Sequence, residues 1–378
     1  MKMSVLVAGD FCDKNRVSKL IYNECYDRMF DNVKNIVSDA DISIVNFEFP
    51  IVEDKGLPIK KCGPNLKGHP NSVEAIKYAG FDVCTLANNH ILDQGAKCCL
   101  DTKSLLEKSG IKTVGVGENL EDTSGILYLP KNGERIAIIN CAENEFSIAT
   151  ESTPGAYPIN PIRQYHQIVE ARQNADYVIV ITHGGHEHFN LPSPRMKEIY
   201  RFFIEVGADT VVNHHQHCYS GYEEYQGKPI FYGLGNFLFD NPNYRNTFWN
   251  EGYMVELDLH DGCVEYKVIP YTQCNDEPTI QLLETEESKV FHQKIAELNS
   301  TIADDSKLRA KIYEYYSKSA SYELSIIEPY RGRILNKLYS MHLLPTFVKN
   351  SKLAAILNHV CCESHRDKLL YALTQKNK

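Results

Sequence analysis

The sequence predicts an α/β protein, with a layered sheet system buried on both faces and a helical extension behind it. Two patterns predict the sheets. Short apolar, β-branched runs recur through the first two thirds of the 378-residue chain, and helix-like segments separate several of them. Continuous apolar strands that alternate with amphipathic helices belong to sheets covered on both sides. A third pattern predicts the extension: from about residue 280 the periodicity becomes helical, as in "ESKVFHQKIAELNSTI" and "SKLAAILNHVCCESHRDKLLYALTQ". The expected division is residues 1–275 for the sheet domain and 276–378 for the helical extension.

Taken in order, "MKMSVLVAGD" has an apolar run too short for a signal-peptide core, so it reads as a first buried strand. Further strand signals are "DISIVNF", "DVCTLA", "KTVGVG", "RIAIINCA", "DYVIVITHGG", "DTVVNHH" and "KPIFYGLGN". Helices are expected over residues 25–38, 72–79, 97–109, 162–174 and 194–206. Two segments turn back on themselves at Asn132-Gly133 and Asp261-Gly262, dipeptides that suit two-residue hairpin turns. The sheets are therefore expected to be mixed, with antiparallel edges.

Composition narrows the function. Hydrophobic residues at 43% and charged residues at 24% are ordinary for a globular chain. The net charge of -9 disfavours nucleic acid as a partner, and no apolar run reaches the length of a membrane span. Twelve cysteines without C-x-x-C spacing, in a long chain with no secretory signal, read as reduced thiols in a cytoplasmic protein. Residues 326–378 hold nine Lys or Arg against three Asp or Glu, so this tail is about six charges positive. Such a tail suits a membrane surface or an acidic partner, or a solvated helix face.

Chemistry collects at the ends of the strands, where α/β proteins place ligands. The first strand ends in Asp10, the second in Asn46 and Glu48, and the third in Asn88, Asn89, His90 and Asp93. Later strands end in "THGGHEH", with His183, His186, Glu187 and His188, and in "NHHQH", with His214, His215 and His217. Six of the fourteen histidines thus lie between residues 183 and 217. So many polar groups at one crevice need a common partner, and one or two divalent ions, Mn, Fe, Zn or Mg, suit mixed oxygen and nitrogen donors. If the backbone stays extended after the strand, His215 and His217 point one way, with His214 opposite, toward a surrounding layer or solvent. Asn89 offers a ligand oxygen, while His90, oriented by Asp93, stays free for proton transfer. The loop "KKCGPNLKGHP" offers Lys61 and Lys67 to an anionic substrate, and Asn236 closes "GLGNF" where glycines permit close backbone approach.

In their order, "GDFC", "NFEFP", "LANNHILDQG", "THGGHEH" and "GADTVVNHHQHCYSGYEEYQGKPIFYGLGNF" resemble the motifs of the CapA family, the poly-gamma-glutamate capsule biosynthesis proteins. The resemblance covers roughly residues 4 to 260. It implies the calcineurin-like metallophosphoesterase fold, a four-layer α-β-β-α sandwich with a metal site at the C-terminal edge of its sheets. It also implies Asp10, Asn89, His183, His215 and His217 as metal ligands and His90 as the catalytic histidine, to which the reading of the residues adds Asp93 as its orienting partner and Glu48 as a further ligand. Asn46, Asn88, Lys61, Lys67, His186, Glu187, His214 and Asn236 are the expected substrate contacts. This sequence departs from the phosphoesterase pattern at Cys12, where that fold usually carries a histidine. It also carries Asn46 and Glu48 in place of a bridging aspartate, and Glu48 is the expected bridging donor.

The expected function is metal-dependent hydrolysis of an anionic or phosphorylated intermediate of capsular or cell-envelope polymer synthesis. The substrate is then a small anionic molecule or a polymer, and a capsule-synthesis complex is the expected assembly. A non-hydrolytic subunit that binds the polymer or a synthetase is the alternative, and an amide-cleaving or amide-forming enzyme is a third. The expected location is the cytoplasm, with the basic tail available for peripheral membrane contact.

Overall fold

A computed structural model describes residues 2–330 and 332–376. The chain runs β1 (Met3–Cys12), α1 (Asn15–Tyr22), α2 (Tyr26–Asp39), β2 (Ile42–Phe47), α3 (Asn71–Ala79), β3 (Val83–Thr85), α4 (Gly95–Lys108) and β4 (Lys112–Val114). It continues through β5 (Val116–Gly117), β6 (Leu127–Lys131), β7 (Glu134–Ala142), β8 (Gly155–Ala156), α5 (Pro161–Asn174), β9 (Tyr177–His183), α6 (Pro194–Val206) and β10 (Thr210–His214). The remaining strands are β11 (Tyr222–Tyr225), β12 (Lys228–Phe231), β13 (Asn236–Phe239), β14 (Glu251–His260), β15 (Cys263–Gln273) and β16 (Ile280–Leu282), followed by α7 (Thr285–Ala303).

Two sheets form. One has the order β16-β15-β14-β1-β2-β3-β4, with β13 also pairing β1, and the other the order β11-β12-β10-β9-β7-β6. Strands β1 to β4 run parallel, as do β7, β9, β10 and β12, while β14 to β16, β6 and β11 make the antiparallel edges. The sheets are mixed as expected, and both predicted hairpin turns form. Asn132, Gly133, Asp261 and Gly262 all take positive φ, which type I′ turns require.

Side-chain alternation along the strands assembles four layers. In β1, Val5 and Val7 face the other sheet, where with Ile44 and Val83 they meet Ile138, Ile179, Ile181 and Val212. Leu6 and Ala8 point the other way, onto Ile21 of α1, Phe30 and Val33 of α2, Ile76 of α3 and Leu106 of α4. The outer face of the second sheet buries Ile139, Val178 and Val180 against Ile168 of α5 and Tyr200, Phe203 and Ile204 of α6. Every segment expected to be helical is helical; α1, only eight residues long, is an additional helix that buries Val17, Leu20 and Ile21. "KTVGVG" divides into β4 and β5 at Gly115, which takes φ +96° against the Asn140 side chain, where a Cβ would sit 2.1 Å from Oδ1.

The first compact unit reaches Leu308, beyond the division expected at residue 275, because Phe291 and Ile295 of α7 join the core between the sheets. Residues 309–378 form a second unit, and α8 (Asp305–Ser325) crosses the boundary. Within it lie α9 (Arg333–Ser340), α10 (Asn350–Cys361) and α11 (Glu363–Lys376). This unit exposes Ile334, Leu343, Phe347, Leu357 and Leu370, and Glu328 pins its 346–348 segment by accepting from the backbone N–H of Phe347 at 2.9 Å. Arg331 and Lys378 of the basic tail lie outside the described residues. Among the described residues no helix is long and apolar enough to cross a membrane.

Candidate functional site

The parallel strands of both sheets end at one edge, and register levels their terminal residues. Asp10 lies opposite Asn46 and Asn236 in the first sheet, and His214 opposite His183 in the second. At Asp10 the chain passes so close to β13 that a Cβ on Gly9 would stand 2.0 Å from the Gly235 carbonyl oxygen. That glycine lets the backbone N–H of Asp10 reach this carbonyl at 3.2 Å. The pairing of β1 also shifts register at Asp10, an irregularity of the kind that re-aims a side chain at a sheet edge.

Asp10, Glu48 and His217 bring one donor atom each within 4.8 Å of one another, all buried. Glu48 is fully buried, and among the described residues neither of its carboxylate oxygens has a hydrogen-bond partner. Its Oε1 lies 3.7 Å from both His217 Nε2 and His183 Nε2. Around His183 Nε2 gather the Asn89 Oδ1 at 3.1 Å and the His215 Nδ1 at 3.1 Å. Glu48 thus stands between an Asp10–His217 group and a His183–Asn89–His215 group. Asn236 accepts from His217 Nδ1 at 2.9 Å, which leaves Nε2 turned toward Glu48. Burial raises the pKa of Asp10 to about 7, against the lowering effect of the Asn46 hydrogen bond, and raises that of Glu48 well above its usual range. Burial also lowers His214 and His217 to about 3 and His215 to about 4, so these imidazoles are neutral at physiological pH. Unprotonated ring nitrogens beside buried, unpartnered carboxylate oxygens are the donor set of a cation, and the residues present fit a divalent ion.

Beside this cluster, His90 Nδ1 lies 2.6 Å from Asp93 Oδ2, and Asp93 Oδ1 pairs with the buried Lys61 ammonium at 2.5 Å. Asp93 also accepts from the Leu66 N–H at 2.6 Å. The carboxylate is held from three sides, and it fixes the proton of His90 on Nδ1. A cavity of about 260 Å³ opens over His90, Asn89 and His217.

Several expected side chains sit elsewhere than the sequence suggests. The backbone does not stay extended past β10, because His215 takes φ +93° and His217 φ +54°. The period-two argument therefore does not extend past His214, which is buried with Nδ1 3.5 Å from Asp10, in the layer around the donor set. Asn46 donates to Asp10 at 2.7 Å and Asn88 to the Phe47 carbonyl at 2.9 Å, so both are structural supports. Asn236 orients His217. Lys61 lines the cavity but is bound to Asp93, whereas Lys67 is exposed and does not line the cavity. Of His186 and Glu187, only Glu187 lines the cavity, and His188 does so in place of His186. Sequence reasoning also passed over Glu145, whose Oε1 is 3.6 Å from His215 Nε2, and the aromatic wall of Tyr244 and Trp249. Glu145 stands just past the end of β7, where the strand-end rule could have marked it, whereas Tyr244 and Trp249 lie on irregular chain between β13 and β14, where no spacing does.

A family model described as bacterial capsule synthesis protein PGA_cap matches residues 4–241. The capsule biosynthesis protein CapA of Bacillus anthracis is 32% identical over 301 residues, covering 77% of this chain and 72% of that protein. The PGA biosynthesis protein CapA of Bacillus subtilis is 33% identical over 241 residues, covering 63% of each chain. Among solved structures, one described as a novel phosphatase of Mycoplasma pneumoniae is 18% identical with a TM-score of 0.47, covering 73% of this chain and 95% of that one. With the family model spanning well over half its length, this chain belongs to the PGA_cap family of bacterial capsule synthesis proteins.

Proposed function

We propose that the chain is a metal-dependent hydrolase of phosphoesterase type, acting on an anionic or phosphorylated intermediate of capsular polymer synthesis. The observation that carries this reading is the buried Glu48 carboxylate, unpartnered between Asp10–His217 and His183–Asn89–His215, directly beside the His90–Asp93 pair. Asp10, Glu48 and His217 would hold one divalent ion, and His183, Asn89 and His215 with Glu48 a second. When bound, such an ion supplies Lewis acidity at a substrate oxygen. The remaining work falls to the chain's own side chains. His90 hydrogen-bonds Asp93 through Nδ1, so in the imidazolium form, which burial opposes and Asp93 favours, Nε2–H would give its proton to a leaving oxygen and leave a neutral ring with Nδ1–H still on Asp93. Lys61 neutralises Asp93 and stops the pair from repelling an anion. The location among capsule-synthesis proteins, and any assembly with them, follows from the family and is part of the same proposal.

The reading predicts that small phosphate monoesters are hydrolysed only with Mn, Fe, Zn or Mg present, and that chelation removes the activity reversibly. A chain that binds a divalent ion at this site yet turns over neither phosphate esters nor gamma-glutamyl peptides would be a binding subunit instead. The second unit's exposed apolar residues would then be its docking surface.

A further inference from the structure

One wall of the cavity over His90 has no part in the reading above. Tyr244 and Trp249 lie nearly parallel, 15° apart with ring centroids at 5.1 Å, and Trp249 in turn packs on His217 at 4.7 Å with the rings tilted by 39°. This wall is anchored at several points. Trp249 Nε1 donates to the Phe239 carbonyl at 2.7 Å, the Trp249 carbonyl accepts from Asn236, and Asn250 Nδ2 donates to the Gln273 carbonyl at 2.8 Å. Asn241 and Thr247 cap the two short 3-10 turns that carry Tyr244 and Trp249. Trp249 is buried, but Tyr244 is only half-buried and its ring borders the cavity. A half-exposed flat ring held in place by a rigid loop is a preformed platform.

The rim carries carboxylates as well, Glu145 and Glu187, and one amine near the aromatic side, Lys14, whose Nζ stands 5.6 Å from the Phe239 ring centre. Carboxylates accept hydrogen bonds and repel anions, so beside an aromatic platform they suit a ring that bears hydroxyl donors. The negative face of an aromatic ring attracts polarised C–H groups, which a sugar ring offers on one side while its hydroxyls point outward. At about 260 Å³ the cavity has the size of one such unit and falls short of the usual range for larger ligands.

We propose that this cavity is a subsite for a single sugar ring carrying an anionic group, with Tyr244 and Trp249 beneath the ring and Glu145 and Glu187 accepting from its hydroxyls. The subsite rests on the hydrolase reading for what happens to the anionic group, and stands without it for binding.

Trp249 is the chain's single tryptophan, so its fluorescence reports occupancy of the wall directly. The titration uses the His90→Ala chain, to prevent turnover, with glucose 1-phosphate, phenyl phosphate, glycerol 3-phosphate and inorganic phosphate as probes. Glucose 1-phosphate is expected to bind tightest, about tenfold over glycerol 3-phosphate, on the scale of one ring stacked on an aromatic side chain. Adding Tyr244→Ala should erase that advantage and leave inorganic phosphate unchanged, and Tyr244→Phe should restore it. Equal affinity for glycerol 3-phosphate, tighter binding of phenyl phosphate, or an equal effect of Tyr244→Ala on every probe would overturn the proposal. Ring-dependent binding in a protein that hydrolyses no ester would sink the hydrolase reading and keep the subsite; hydrolysis with ring-independent binding would do the reverse.

Discussion

His90→Ala is expected to lower turnover of a phosphate monoester roughly 100- to 10,000-fold while the bound divalent ion stays in place. The two halves of this expectation come from separate geometry. His90 borders the cavity and gives its Nδ1 proton to Asp93 at 2.6 Å, so its other nitrogen is the one free for a leaving oxygen. No atom of His90 enters the buried Asp10–Glu48–His217 set, so removing the ring leaves those donors untouched. Steady-state rates beside elemental analysis of the same preparation decide the matter. Loss of the ion from the variant would make His90 a ligand, and an unchanged rate would remove it from the reaction.

Glu48→Gln is expected to have opposite effects with and without an ion. In the metal-free protein Glu48 buries a carboxylate near Asp10 with no hydrogen-bond partner, a costly arrangement. Glutamine keeps the shape and removes the ionisable group, so the metal-free variant should melt no lower than the metal-free parent. Adding a divalent ion at about a hundred times its dissociation constant should stabilise the parent by about 2.7 kcal/mol, a rise of a few degrees for a domain of this size. The variant should gain little or nothing. Thermal melts of both proteins, each with and without ion, provide the four numbers needed. A metal-free variant that melts well below the parent would show that Glu48 supports the fold and has no cation to serve.

Much of this arrangement is legible in the sequence, for physical reasons that also mark where reading stops. Parallel strands buried on both faces are continuous apolar runs, and their C-terminal ends are known once the strands are known, so Asp10, Glu48, Asn89, His183 and His217 stand among the polar groups named by position, and the family resemblance singles out all but Glu48 as ligands. The hairpin turns were equally readable, because Asn-Gly and Asp-Gly tolerate positive φ. The period-two rule holds only while the backbone is extended, and His215 leaves that region at φ +93°, yet His215 and His217 still reach the cluster and His214 still lies behind Asp10. Lys67 was grouped with Lys61 by charge, although only Lys61 folds back onto a buried aspartate. The helix α7 looked like part of a separate extension because its helical periodicity gives no sign of the sheet core it completes through Phe291 and Ile295. Tyr244 and Trp249 carry no motif; their meaning comes from a loop geometry built by Asn236, Asn241, Thr247 and Asn250.

The central claim is that the strand-end donors hold a divalent ion, and the most direct measurement is the metal content of the purified chain beside an Asp10→Ala, His217→Ala double variant. The account predicts one to two equivalents of Mn, Fe, Zn or Mg per chain in the parent, retained through gel filtration, and none in the folded variant. A parent chain that is free of metal and takes up none of these ions on incubation would contradict it.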